Sequence, residues 1–172
     1  MSTFSAELAR ALPDMAQLAR VTVRLVSALI IGTAVGLQRE LTHKPAGLRT
    51  HMLVALGTAL FIAGASEAGM TTDALSRVVQ GLATGIGFLG GGAILKLATE
   101  REIHGLTTAA GIWMTAAASA AAALGQVAVA LIGTFIGLVI LALFRNVERK
   151  LNHRPGGKNG QGPSNHDPKD AA

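Results

Sequence analysis

A charged segment between two apolar runs carries the residue types best suited to chemistry in this 172-residue chain. This segment, residues 36–51, holds two arginines, a glutamate, a lysine and two histidines around a Pro-Ala-Gly turn. Cations in that density at a membrane surface bind the phosphates of anionic lipids or the acidic surface of a partner protein. A second short segment, farther along the chain, adds an arginine and two threonines. The candidate interfacial or partner-binding residues are Arg39, Glu40, Lys44, Arg49, His51, Arg101, Thr107 and Thr108.

An alternative interpretation of this segment stays open. The cations could lie in a solvated hairpin and do no more than fix the orientation of the chain. The pocket interpretation makes a specific prediction: the turn at 44–47 brings Arg39 and Arg49 to the same membrane depth, and Glu40 pairs with one of them. One carboxylate there would offset the repulsion between two neighbouring cations near lipid.

Glycine-rich motifs are the second feature that suggests chemistry. Residues 85–90 match the G-x-G-x-x-G pattern of dinucleotide sites. The match lies inside an uncharged run, not between a strand and a helix of a soluble domain, so no cofactor site is expected. Glycines four residues apart instead favour close packing of helices in a membrane. The predicted helix-packing positions are Gly32, Gly36, Gly81, Gly85, Gly87 and Gly91.

The polar residues form no recognisable metal or catalytic constellation. The chain has five histidines and no cysteine, and no two histidines have the four-residue spacing that places two ligands on one helix face. All ten carboxylates lie outside the long uncharged runs. A pathway for Mg²⁺ or protons normally has an ionisable group at membrane depth, so this distribution argues against direct cation transport. We expect no catalytic residue, no metal ligand and no cofactor.

The elements that must position the charged segment are long apolar helices. Half of the residues are apolar and 15% are charged, against about 25% in ordinary soluble domains. This composition excludes a disordered chain and a disulfide-rich secreted domain, and the scattered basic residues do not suggest a nucleic-acid partner. A membrane crossing takes about 20 helical residues. The uncharged runs predict five spans, near residues 21–37, 51–66, 78–95, 106–124 and 127–144.

The predicted fold is all-α, a polytopic transmembrane helical bundle of about five spans in a lipid bilayer. Residues 1–20 are predicted to be an interfacial N-terminal segment, 21–150 the transmembrane domain, and 151–172 a disordered cytoplasmic tail rich in Pro, Gly and Asn. Lys and Arg are concentrated in the loops on the side of the C-terminus, which predicts that this side is cytoplasmic. The short first run leaves open a four-span alternative with the same topology from His51 onward.

Three motifs, in order and at the usual spacing, resemble the MgtC/SapB family over about residues 24–144. The resemblance concerns the N-terminal transmembrane domain of that family only. It implies a multi-pass protein of the bacterial inner membrane, linked to magnesium homeostasis, virulence and survival inside host cells. Some members act by restraining the F-type ATP synthase. The motifs are Lys44-Pro-Ala-Gly-Leu-Arg-Thr-His-Met-Leu-Val-Ala-Leu-Gly57, Gly85-Ile-Gly-Phe-Leu-Gly-Gly-Gly92, and Gly105-Leu-Thr-Thr-Ala-Ala110 with Trp113.

The chain departs from the family pattern in two places. Members often carry Glu-Arg-Glu or Glu-Arg-Gln after the first span, whereas this chain has Gln38-Arg39-Glu40. No role is therefore expected for the first of those carboxylates. Some members also continue into an ACT-like C-terminal domain, and regulation through such a domain is not expected here.

The residues and the resemblance together predict a non-enzymatic membrane regulator. It would bind a membrane-protein partner or form a homo-oligomer, and an anionic lipid is a further candidate ligand. The alternative function is a transporter or channel for Mg²⁺ or another cation. No pattern in the sequence supports an enzyme.

Overall fold

Five α-helices form a bundle in residues 14–97 and 105–152, the part of the chain that the computed structural model describes. These residues contain no strand. The predicted all-α bundle is therefore confirmed, and every predicted span coincides with one helix to within a residue or lies inside it. The helices are α1 (Met15–Leu41), α2 (Leu48–Glu67), α3 (Thr72–Leu97), α4 (Leu106–Ala123) and α5 (Val127–Asn152).

The lengths of the helices suit a bilayer. Three of them, α1, α2 and α4, are long and apolar enough to cross a membrane, and α5 contains a shorter apolar stretch, Val127–Leu143. The 27 residues of α1 extend about 40 Å at about 1.5 Å per residue, which exceeds the hydrocarbon thickness of about 30 Å. The first predicted span is thus part of a helix long enough to cross.

Two predicted segments lie mostly outside the described residues. Because α1 begins at Met15, the last residues of the predicted interfacial segment belong to its first turns. Likewise α5 extends to Asn152, two residues into the predicted tail. The remainder of the N-terminal segment, 1–13, and of the tail, 153–172, is not among the described residues.

The alanine-rich helix α4 lies at the centre of the bundle. It contacts all four other helices, whereas α3 contacts α2 and α4, and α5 contacts α4 and α1. Half of the residues of α4 are alanine. Small side chains let neighbouring backbones approach closely where lipid supplies no hydrophobic driving force between helices. The composition of α4 therefore explains its central position.

Glycines bring α1 and α2 into close contact. A Cβ atom at Gly32 would lie 2.7 Å from the Cβ of Ala55, and one at Gly36 would lie 2.8 Å from the Cα of Leu48. Both distances are shorter than real Cβ atoms accept. The two positions, one helical turn apart, thus require glycine for the observed separation of the helices.

The α3 glycines lie on a different kind of surface. This helix packs on α4 through Ile86, which is buried, and Gly90, whose Cβ would lie 3.5 Å from the Cβ of Ala109. The other face of α3 points away from the bundle. At four glycines of α3, no packing neighbour for the role predicted from sequence is found among the described residues. A Cβ atom placed on any of these four glycines would have no described atom within 4 Å. They are Gly81, Gly85, Gly87 and Gly91.

Candidate functional site

Arg39 is a buried arginine close to the end of α1. Its residue surface is 2% exposed. A Cβ at Gly111 of α4 would lie 3.6 Å from both Nε and Nη2 of Arg39, so the guanidinium lies over bare helix backbone. Neither nitrogen has a hydrogen-bond partner among the described residues. Burial of a cation with unused donors destabilises a fold by several kcal/mol, so stability does not explain this arginine.

His51 of α2 is fully buried beside Arg39. Its Nδ1 lies 2.9 Å from the hydroxyl of Thr115 on α4, and that hydroxyl donates to the Gly111 carbonyl at 2.9 Å. A hydroxyl has one proton, so the Thr115 oxygen accepts a hydrogen bond from Nδ1–H. This pattern assigns the proton to Nδ1 and leaves Nε2 without a partner among the described residues.

Gly111 is the common neighbour of these polar groups. A Cβ there would lie 3.6 Å from Cε1 of His51, the same distance as from the two nitrogens of Arg39. Helices α1, α2 and α4 therefore each contribute residues to one polar cluster inside the bundle. It lies one or two helical turns from the end of the bundle that holds residues 42–47. We call Arg39, His51, Gly111 and Thr115 the internal cluster, and residues 42–47 the connector.

Thr115→Val should lower the melting temperature of the purified protein by several degrees. Valine keeps the shape but removes the hydroxyl, which leaves the buried Nδ1–H of His51 unpaired at about 1–3 kcal/mol. In a chain of this size 1 kcal/mol corresponds to about 2–4 °C. Thr84→Val is the matched control, because Thr84 is exposed and its hydroxyl bonds to its own helix. Equal melting temperatures for the two variants would contradict the assigned hydrogen bond.

Among the described side chains Glu40 forms no ion pair with Arg39 or Arg49, contrary to the prediction. Its Oε2 accepts a hydrogen bond from the backbone N–H of Leu48 at 3.0 Å, and a Cβ at Gly47 would overlap its carboxylate. Among the described side chains, the ion pair within 4.0 Å is a different one, Arg24 with Glu67. The physical reason is that the start of α2 has unpaired N–H groups and a positive dipole end, which attract a carboxylate. Glu40 thus links the end of α1 to the start of α2.

Glu40→Ala should therefore destabilise the bundle by about 1 kcal/mol, as does the loss of other helix N-terminal caps. Glu40→Gln should have a smaller effect, because the amide oxygen can still accept from Leu48. Since Arg39 lies near Gly111 and Glu40 bonds to Leu48, Arg39→Gln and Glu40→Gln should be additive in melting temperature. A double variant that deviates from additivity by more than about 0.5 kcal/mol would show that the two side chains interact.

The structure divides the predicted interfacial residues into two groups. Arg39 and His51 point into the bundle, where Thr108 is also buried. Lys44, Arg49 and Thr107 are exposed at the same end of the bundle. The predicted interfacial residues that the structure describes therefore do not all lie in one surface pocket. Arg101 lies outside the described residues.

Sequence reasoning missed two features of the interior. At the end opposite the connector, Nη1 of Arg24 lies 3.4 Å from Oε1 of Glu67 and links α1 to α2. The internal cluster includes Gly111 and Thr115, which had no role as a pair in the sequence analysis. The spacing of Gly111, Thr115 and Ser119, four residues apart on one helix face, was the available signal.

No metal centre is visible in the described residues. No group of three or more His, Asp or Glu side chains there could hold a metal ion. The internal cluster combines the guanidinium of Arg39 with the imidazole of His51 and contains no carboxylate. Such a pair of nitrogen groups suits an anion or a water molecule better than a divalent cation.

Comparisons with known proteins agree with this fold. The chain is 44% identical over 140 residues to protein SrpB of Synechococcus elongatus, covering 75% of this chain and 77% of SrpB. It is 36% identical over 145 residues to YhiD of Escherichia coli, by name a proposed magnesium transporter, covering 79% of this chain and 66% of YhiD. It is also 36% identical over 135 residues to protein MgtC of Salmonella typhimurium, covering 77% of this chain and 56% of MgtC.

The chain thus spans less than two thirds of YhiD and a little over half of MgtC. No solved structure matches it. The family model for the MgtC family matches residues 25–150, which includes all of α2, α3 and α4, most of α1 and α5, and every residue of the internal cluster. By this match and these relatives, the chain belongs to the MgtC family.

Proposed function

We propose that this protein is a non-enzymatic regulator in the bacterial inner membrane, linked to magnesium homeostasis, which acts by contact with a membrane partner and moves no cation. The observation that carries the proposal is the buried guanidinium of Arg39. Arginine stays protonated in proteins, so a fixed positive charge lies among α1, α2 and α4. Unit charges about 4 Å apart interact by about 4 kcal/mol at an effective dielectric constant of about 20. Mg²⁺ carries twice that charge and would be repelled.

The outward face of α3 supports contact with a partner. Gln80 and Thr84 are exposed on this face beside glycines such as Gly81 and Gly85. An amide in lipid lacks hydrogen-bond partners, and small residues let a second helix approach closely. In the described residues no helix covers this face. The family resemblance makes the F-type ATP synthase the first partner to test, and a second copy of this chain is the alternative.

Site-specific photo-cross-linking tests this contact. A photoreactive residue at Gly81 should give one discrete cross-linked product in membranes, whereas the same residue at Ile132, exposed on α5, should not. Gly85→Leu should abolish the product from position 81 and leave the melting temperature unchanged, because no atom lies within 4 Å of its Cβ. Equal products at both positions, or none at either, would contradict a specific contact.

A transport function is the second candidate. The feature that favours it is a set of buried hydroxyls, those of Thr58, Thr115 and Ser119, which are neutral oxygens inside the bundle. Hydroxyls between membrane helices more often hydrogen-bond to backbone, as Thr115 does with Gly111. The charge of Arg39 near the connector end of this set argues for regulation over transport.

The orientation of the bundle is part of the proposal. Exposed Lys44 and Arg49 at the connector end favour the cytoplasmic side. Because the chain has no cysteine, Lys44→Cys and Asp73→Cys give clean labelling sites at opposite ends. In intact cells with a permeabilised outer membrane, an impermeant thiol reagent should label Asp73→Cys and not Lys44→Cys. The reverse pattern would contradict the proposed orientation.

A further inference from the structure

A long apolar cleft separates α2 from α3, with α4 as its floor. Its inner part has a cavity volume of about 100 Å³ and is lined by residues such as Leu82 and Ile86 of α3, and Trp113 and Ala116 of α4. Its single polar lining residue is Thr58 of α2. The cleft arises because α2 and α3 contact each other less than they contact α4.

The cleft continues toward the connector and widens. This outer part has a cavity volume of about 470 Å³ and is lined by Val54 of α2, Leu89 and Gly92 of α3, and Ile112 of α4. The two parts adjoin, because Val54 is one helical turn from Thr58, and Ile112 is one turn from the Ala116 that lines the inner part.

The length of the cleft corresponds to one leaflet of a bilayer. Its floor runs along α4 from Thr108 to Ala120, which is about 18 Å at about 1.5 Å per residue. The hydrocarbon core of a bilayer is about 30 Å thick, so one leaflet contributes about half of that. An acyl chain that entered the cleft from the connector end would thus be accommodated along its length.

The wide end of the cleft is polar and cationic. Thr50 lines both the cleft and a neighbouring cavity of about 600 Å³, which is also lined by Arg49 and Glu40. Lys44 is exposed on the same connector. The Glu40 carboxylate accepts a hydrogen bond from Leu48, so the two cations and this anion leave a net charge of +1 at the membrane surface.

We propose that the cleft binds one anionic phospholipid, with an acyl chain between α2 and α3 and the phosphate beside Arg49. The apolar walls end at the level where a headgroup lies, and a cation stands at that level. A helix from another protein would fit less well, because a helix is about 10 Å wide with its side chains and the inner part has a cavity volume of about 100 Å³. The site is separate from the outward face of α3 and from the internal cluster, so it does not depend on the proposed regulatory contact.

Lipid titration of the full chain in detergent tests the headgroup part. Phosphatidylglycerol should raise the melting temperature more than phosphatidylcholine with the same acyl chains, and native mass spectrometry should show one retained lipid. Arg49→Gln should weaken phosphatidylglycerol binding about tenfold, the loss of one charge-assisted contact, and should weaken phosphatidylcholine binding less, because the choline cation already offsets the charge of that phosphate. Arg77→Gln is the matched control, since Arg77 is exposed at the other end of α3. Equal effects of the two variants, or no preference for phosphatidylglycerol, would overturn the proposal.

A pair of glycine variants tests the acyl-chain part. Gly92 lines the cleft and Gly81 does not, yet neither has an atom within 4 Å of a Cβ. Both leucine variants should therefore fold, and Gly92→Leu alone should abolish lipid retention. Glycerol phosphate should not reproduce the stabilisation, because it lacks acyl chains. Stabilisation by glycerol phosphate, retention of lipid by Gly92→Leu, or a protein adduct from a photoreactive residue at Gly92 would each overturn the proposal.

Discussion

Gly36→Leu is expected to abolish the folded bundle. A Cβ at Gly36 would already lie 2.8 Å from the Cα of Leu48 and 3.1 Å from the Cβ of His51. The first neighbour is backbone and cannot rotate away, so α2 would have to move from α1. Overpacking of a core costs about 1–3 kcal/mol even where side chains can adjust. Here the shift would also pull His51 from Thr115, so the loss should be larger.

Gly85→Leu is the control for this prediction, because it makes the same change in an outward position. The measurement is the yield of monodisperse protein in detergent, together with its melting temperature. Wild-type yield for the position 85 variant and little or no folded protein for the position 36 variant is the expected result. Similar yields for both would mean that the close approach of α1 and α2 is not required.

Arg39→Met is expected to keep or raise the melting temperature while impairing contact with the partner. Methionine is unbranched, flexible and apolar, so it can fill the space beside Gly111 without burying unused donors. Replacing buried ionic groups by apolar residues of similar volume is often neutral or stabilises proteins by about 1–4 kcal/mol. Arg39→Ala should instead destabilise the bundle, because it leaves a cavity.

The readouts for Arg39 are the melting temperature and the photo-cross-linked product from position 81. Retained stability with a weaker product would assign Arg39 a functional role. A fall of more than about 5 °C in Arg39→Met would show that the guanidinium stabilises the bundle. This would contradict the interpretation of Arg39 as a buried charge that no described residue compensates.

The helices could be predicted because long gaps between charges are a strong physical signal. Charged side chains are expensive inside a bilayer, so the uncharged runs had to coincide with α1 to α5, and they do. The packing of α3 could not be predicted in this way. Glycines four residues apart have the same spacing in the α1–α2 contact and on the outward face of α3, and only the positions of neighbouring helices distinguish Gly36 from Gly85.

Several residues of the candidate site could be predicted from the sequence, but their arrangement could not. Arg39 and His51 were placed at the membrane surface because both adjoin a charged segment. Their burial depends on Gly111, which lies sixty positions after His51 in the chain and whose bare backbone makes room for the guanidinium. Glu40 was assigned to an arginine because opposite charges attract. The competing attraction of the Leu48 N–H becomes visible only when the turn places the start of α2 beside the carboxylate.

Measurement of Mg²⁺ flux into proteoliposomes tests whether this protein moves a cation. The purified chain would be reconstituted with a trapped Mg²⁺-sensitive dye, with an ionophore added at the end to show that the dye responds. We expect no Mg²⁺ entry above that of protein-free liposomes, with or without a membrane potential, because the positive charge of Arg39 lies inside the bundle. Saturable, protein-dependent entry of Mg²⁺ would contradict the proposal that the protein moves no cation. If entry rose further in Arg39→Met, the protein would be a transporter in which the charge of Arg39 slows the passage of Mg²⁺.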